Sequence, residues 1–157
     1  MIKSNVPSLQ DATPSPAPAR HGVVAESGEN YLETIYLIKE RNTDGIVRAV
    51  DVANFLGFSK PSVSRALGLL KEKGFIIIEE NGAINFTPDG RILAEAVFER
   101  HKLLTVFLHH VANVSLDIAE KDACRIEHVI SQETVDGIKE YLAKNNLQIP
   151  QSKLNNR

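Results

Sequence analysis

One cysteine, Cys124, is all that the 157-residue chain contains. No disulfide can form within it, which fits a reducing compartment. No segment approaches the roughly 18 consecutive apolar residues that a membrane span needs, so no membrane partner is expected. Met1-Ile2-Lys3-Ser4-Asn5-Val6-Pro7 leads into no apolar h-region, so a secretory signal is not expected and the expected location is cytoplasmic. Positive charge is not in excess either. Eighteen Lys and Arg stand against 20 Asp and Glu, a net charge of −2. Any nucleic-acid binding must therefore come from a local basic face, doubled in a dimer, rather than from bulk charge. Gly-rich phosphate loops, nucleophile elbows and zinc-protease helices are missing. An enzyme is not expected.

What is present is a string of short, well-punctuated elements. Residues 1–26 read as a disordered tail, because Pro14, Pro16 and Pro18 alternate with small residues and favour extended chain. A helix is expected from near Ser27, with Tyr31, Ile35 and Ile38 on one face, ending at Asn42-Thr43-Asp44-Gly45. Two short helices follow, Val50 to Leu56 and Ser59 to Lys73. Ser59 is a good N-cap, Pro61 suits the first turn and Gly74 the C-terminal end. Phe75 to Glu79 and Ala83 to Phe86 flank Asn81-Gly82, which predicts a hairpin with a type I′ turn. Thr87-Pro88 then starts a long helix reaching toward Val111. A helix from Ser115 or Asp117 through Ile130 and another from Ser131 to about Asn145 complete the chain. The expected fold is mainly α with a small β-hairpin wing.

Helix, helix-turn-helix and hairpin, in that order, make a winged helix whose Ser59 to Lys73 helix would enter a DNA major groove. Its early outward residues are Ser59, Lys60, Pro61, Ser62, Ser64 and Arg65. Small hydroxyl side chains let the backbone approach and bond phosphates. Arg65 alone among them can make a bidentate contact with a guanine edge.

The second feature is Asp122-Ala123-Cys124-Arg125-Ile126-Glu127-His128. Cys124, Glu127 and His128 stand at i, i+3 and i+4, so on a helix a thiolate, a carboxylate and an imidazole share one face. Sulfur, nitrogen and oxygen donors together suit a borderline first-row divalent metal better than Ca²⁺ or Mg²⁺. A thiolate leans toward Fe²⁺ over Mn²⁺, and other first-row ions also suit the set. Protons compete for such donors, so metal-dependent binding is expected to weaken below about pH 6. His109 and His110, adjacent and pointing apart, are expected to be partly exposed, and His21 lies in the tail.

Four stretches resemble the diphtheria-toxin-repressor and manganese-transport-regulator family of metal-dependent regulators. They are Glu29-Asn30-Tyr31-Leu32-Glu33-Thr34-Ile35-Tyr36, Ser59-Lys60-Pro61-Ser62-Val63-Ser64-Arg65, Glu99-Arg100-His101-Lys102-Leu103-Leu104 and the Asp122 to His128 run. The resemblance implies a winged helix-turn-helix DNA-binding domain over 27–88. A helical metal-binding and dimerisation domain would follow over 89–145, then a polar tail over 146–157. It implies a homodimer on double-stranded operator DNA, controlled by Fe²⁺ or Mn²⁺ and repressing metal-uptake genes. Matched residue by residue, the metal ligands fall on Asn30, Glu33, His101, Cys124, Glu127 and His128. An ancillary site would involve His101, Thr105 and Glu120. Asn30 departs from the methionine or aspartate of better-known members; its amide oxygen is a weak neutral ligand, and Glu29 beside it is the alternative. Two readings compete with this one. One is a metal-binding enzyme or carrier with an incidental winged helix, the other a metal-independent regulator in which Cys124 senses oxidation.

Overall fold

A computed structural model describes residues 26–148. The expected tail over 1–26 therefore lies outside the described residues, except for its last position, as does most of the polar tail over 146–157. Six helices and one hairpin follow in the order α1 (Glu26–Arg41), α2 (Ala49–Leu56), α3 (Lys60–Glu72), β1 (Ile76–Ile78), β2 (Ile84–Phe86), α4 (Pro88–His110), α5 (Leu116–Ile126) and α6 (Gln132–Lys144). The winged helix-turn-helix and the helical half are both present. Among the described residues no helix is long and apolar enough to cross a membrane.

The helix starts follow from local chemistry. Ser59, Thr87, Ser115 and Ser131 each turn a side-chain oxygen onto the backbone N–H three residues on, satisfying a donor that the first helical turn leaves open. Leu32 and Ile35 of α1, Val52 of α2, Val63 and Leu67 of α3 and Ile76 and Ile84 of the hairpin are almost wholly buried in one core. Burial of each such side chain contributes roughly 1.5–3 kcal/mol. A smaller apolar cluster joins Val106 of α4 to Leu142 of α6, with Phe107 and Ile138 against it. The long α4 links the two, packing on α1 and β2 as well as on α5 and α6.

The wing is pinned at both ends. The Ile84 N–H donates to the Val47 carbonyl at 2.8 Å, and the Thr87 N–H to the Phe75 carbonyl at 3.1 Å. Lys39 of α1 reaches across to Asn85 Oδ1 at 3.1 Å. Where α4 leaves the wing, Gly90 is buried and a Cβ there would overlap the Phe75 carbonyl. Only glycine permits this approach.

The hairpin turn differs from the expected type I′. Strand pairing ends at Ile78 and Ile84, and the Gly82 N–H closes a turn on the Glu79 carbonyl at 2.9 Å. Gly82 has φ +81°, but Asn81 is not among the positive-φ residues, whereas type I′ needs positive φ at both central positions. Asn81 instead turns its Oδ1 onto the Ala83 N–H at 2.9 Å, leaving the left-handed position to glycine.

Helix α5 is also shorter than expected. It stops at Ile126, with Glu127 as its C-cap (φ −59°, ψ −26°), not at Ile130. The Val129 and Ile130 N–H groups both fold back on the Ile126 carbonyl, which tightens the end into a turn and stops its propagation.

Candidate metal centre and nucleic-acid surface

Three elements converge on one buried group. Glu33 comes from the middle of α1, His101 from the middle of α4 and Glu127 from the end of α5. All three are buried, and each offers a ligand atom within 4.8 Å of the others. Burying two carboxylates and an imidazole together is costly unless they are paired or bind a cation. His101 Nδ1 donates to Glu127 Oε2 at 2.7 Å, and Glu127 Oε1 is buried beside it. The Arg100 guanidinium donates to the Glu127 carbonyl at 2.8 Å, fixing the end of α5 against α4. Thr105, one turn after His101, donates to its carbonyl at 2.9 Å.

The turn after α5 brings in His128. Its Nε2 lies 3.2 Å from Glu127 Oε1, and its Nδ1 donates to Glu29 Oε2 at 2.8 Å. His128, Asn30 and Cys124 line one surface depression together with Ser27 and Arg125. Glu127 thus faces the buried group and His128 opens on the depression. The two groups adjoin through the 3.2 Å contact.

Electrostatics follow this geometry. The hydrogen bonds to Glu127 and Glu29 outweigh partial burial and raise His128 from 6.5 to about 9. Burial pushes the Glu127 carboxyl upward, but the hydrogen bonds and charges of His101 and His128 win and hold it below its ordinary range. The site therefore holds a proton on His128 where a cation could sit. Oxygen, nitrogen and sulfur donors, with two buried carboxylates among them, fit a first-row divalent ion.

The remaining sequence-derived residues separate from this group. Glu120 lines another depression with Asp117, Lys121, Cys124 and Arg125. His109 is half-buried with Nδ1 on the Val114 carbonyl at 2.9 Å, and His110 is exposed. Sequence reasoning offered Glu29 only as a substitute for Asn30. Its partnership with His128 spans 99 positions, and Glu29's place beside Asn30 in the first turns of α1 was the only local signal.

In the winged helix, Ser59, Lys60, Pro61, Ser62, Ser64 and Arg65 are all exposed at the start of α3. The opposite face carries Val63, Leu67 and Leu70 into the core. The polar edge of α3 is thus presented outward on a buried apolar face.

Comparison with known proteins identifies both halves of the chain. Residues 24–84 match the iron dependent repressor N-terminal DNA binding domain. Residues 87–148 match the iron dependent repressor metal binding and dimerisation domain. The chain is 37% identical over 117 residues to the transcriptional regulator MntR of Escherichia coli O6:H1, covering 74% of this chain and 73% of that protein. It is 30% identical over 110 residues to the diphtheria toxin repressor of Corynebacterium diphtheriae, covering 70% and 48%. It is 42% identical over 92 residues to MntR of Salmonella typhimurium, covering 59% and 58%. The chain thus spans about half the length of these last two relatives. Among solved structures, a manganese-dependent transcriptional repressor in complex with manganese superposes with a TM-score of 0.68 at 28% identity, covering 74% of this chain and 52% of that one. The manganese regulator SloR does so with a TM-score of 0.65 at 26% identity, covering 74% and 53%. With both family domains matched in order and an MntR relative covered over most of its length, the chain belongs to the iron-dependent repressor family, whose members are transcriptional regulators.

Proposed function

We propose that the chain is a metal-dependent DNA-binding regulator, a cytoplasmic homodimer that represses metal-uptake genes on duplex operator DNA when Fe²⁺ or Mn²⁺ is bound. The observation that carries this reading is the buried convergence of Glu33, His101 and Glu127, within 4.8 Å of one another, beside the depression lined by Asn30, Cys124 and His128. The proposed ligands are Glu33, His101, Cys124, Glu127 and His128, with Asn30 at the margin. Glu120 is kept as a possible member of an ancillary site. The proposed division between the DNA-binding and helical halves falls near residue 88.

A bound divalent ion would supply a positive charge shared by residues from both halves. Glu33 belongs to α1, which packs on α2 and α3; His101 and Glu127 belong to α4 and the end of α5. Ligation by all three would hold α1 against α4 and α5, and so fix where α3 stands relative to the helical half. In a symmetric dimer the two α3 helices must stand about 34 Å apart to enter successive major grooves. Holding them there before DNA arrives removes an ordering cost from the binding step. A coupling of roughly 1–3 kcal/mol changes DNA affinity about 5- to 150-fold. On the DNA, Ser59, Lys60, Ser62 and Ser64 bond phosphates while Arg65 reads a base edge, with Pro61 setting the first turn.

Operator duplexes selected from random DNA test the reading. Anaerobic Fe²⁺ or Mn²⁺ should tighten their binding, a chelator should reverse it, and sedimentation should show a dimer on the DNA. Equal affinity with metal and with chelator would refute it.

A further inference from the structure

Glu29 is not one of the positions that family resemblance assigns to metal, yet it makes the shortest contact to His128. Its Oε2 lies 2.8 Å from Nδ1, and the two side chains are 16% and 6% exposed. An ionised carboxylate can only accept, so Nδ1 carries the proton in that contact. Glu29 sits near the start of α1, where the helix dipole favours its negative charge. The other ring nitrogen, Nε2, lies 3.2 Å from Glu127 Oε1. That oxygen is buried. Two donor atoms each about 2.1 Å from one ion stand roughly 3–3.5 Å apart, which matches the separation of Nε2 and Oε1. Asn30, next along α1, faces the depression with Cys124 and His128. Adjacent helical residues point in different directions.

We propose that Glu29 is the positioning residue for His128: it holds the Nδ1 proton, fixes the ring, and leaves Nε2 as the nitrogen offered to a divalent metal beside Glu127. This rests on the metal-binding reading above. Metal-ligating histidines generally donate their second N–H to such a partner, and losing the partner typically lowers affinity 10- to 100-fold. Glu29 comes from α1 and His128 from the turn after α5, so the same bond sets the ring from the DNA-binding half. Glu29 thereby acts on the metal without touching it.

The test uses Zn²⁺ alone, a diamagnetic probe, on the full chain labelled with ¹⁵N-histidine. Long-range proton–nitrogen spectra should show His128 protonated at Nδ1 and metal-bound at Nε2. Competition with a chelating dye should give about 10- to 100-fold weaker Zn²⁺ binding for Glu29→Ala. Glu29→Gln keeps an acceptor for the Nδ1 proton and should recover most of that loss. Metal bound at Nδ1 in the parent overturns the proposal without needing any variant to fold. So does unchanged affinity in Glu29→Ala, or an equal loss in both variants, which would make Glu29 a direct ligand. If His128→Ala loses Zn²⁺ while Glu29→Ala does not, the metal reading stands and only this assignment fails. A parent that binds no Zn²⁺ overturns both.

Discussion

Raising the pH of the metal-free protein should cost it stability through one residue, His128. Its side chain is 6% exposed and lies between two carboxylates, Glu29 and Glu127. They raise it to about 9 from 6.5. Because the folded value exceeds the unfolded one, the stabilisation is complete below about pH 6.5 and disappears as the pH climbs through about 9. A histidine shifted this far contributes on the order of 3 kcal/mol. That is a large fraction of the roughly 5–15 kcal/mol that holds an ordinary domain together. Glu127, held below its ordinary range, acts in the opposite sense. Its contribution is present above the usual carboxylate range and is lost in acid, outside this window. Urea denaturation of chelator-treated parent and His128→Gln at about pH 6.5 and about pH 9.5 isolates the effect, since other titrations cancel in the comparison. The parent should lose on the order of 3 kcal/mol more than the variant. Equal losses would refute the charge pairing drawn here. The same shift moves proton competition for the metal upward. With His128 near 9, metal must displace its proton even at neutral pH, so weakening should begin well above the pH 6 expected from sequence.

Three further outcomes follow from the geometry. Arg65→Ala removes the one early α3 side chain able to grip a guanine edge, and should weaken operator binding by about 1–3 kcal/mol while metal affinity stays constant; unchanged operator affinity in a binding titration would remove Arg65 from the readout. Gly90→Ala sets a methyl group against the Phe75 carbonyl and should lower unfolding free energy by about 1–3 kcal/mol; an unchanged denaturation midpoint would show that the wing and α4 are free to separate. Cys124→Ser should abolish the thiolate charge-transfer absorption of the Co²⁺-loaded protein, and its persistence would exclude the sulfur as a ligand.

Much of the scaffold was legible because its signals are local. Ser59, Thr87, Ser115 and Ser131 cap the helices they precede, and Val63, Leu67 and Leu70 face the core as their spacing requires. The hairpin turn departs from type I′ because Asn81-Gly82 is compatible with more than one turn type, and here the Asn81 side chain bonds the Ala83 N–H while only Gly82 takes positive φ. Helix α5 ends before the expected Ile130 although the residues after Ile126 are compatible with a helix, because the chain closes there through bonds to one carbonyl. At the site, the spacing of Cys124, Glu127 and His128 suggested one shared face. The fold instead directs Glu127 to His101 and Glu33, and His128 to the depression with Asn30 and Cys124. Glu29 could not be recognised as the partner of His128 from spacing, since that contact exists only once α1 and α5 are both packed on α4.

The central claim is that residues on both halves share one metal and thereby set DNA affinity. Operator affinity measured against free Fe²⁺ or Mn²⁺, anaerobically, for parent and His128→Ala tests it most directly, with circular dichroism confirming that both are folded. The parent should gain about 5- to 150-fold in affinity as metal rises, and His128→Ala should stay at the metal-free level throughout. Coincident curves for two folded proteins would contradict the account.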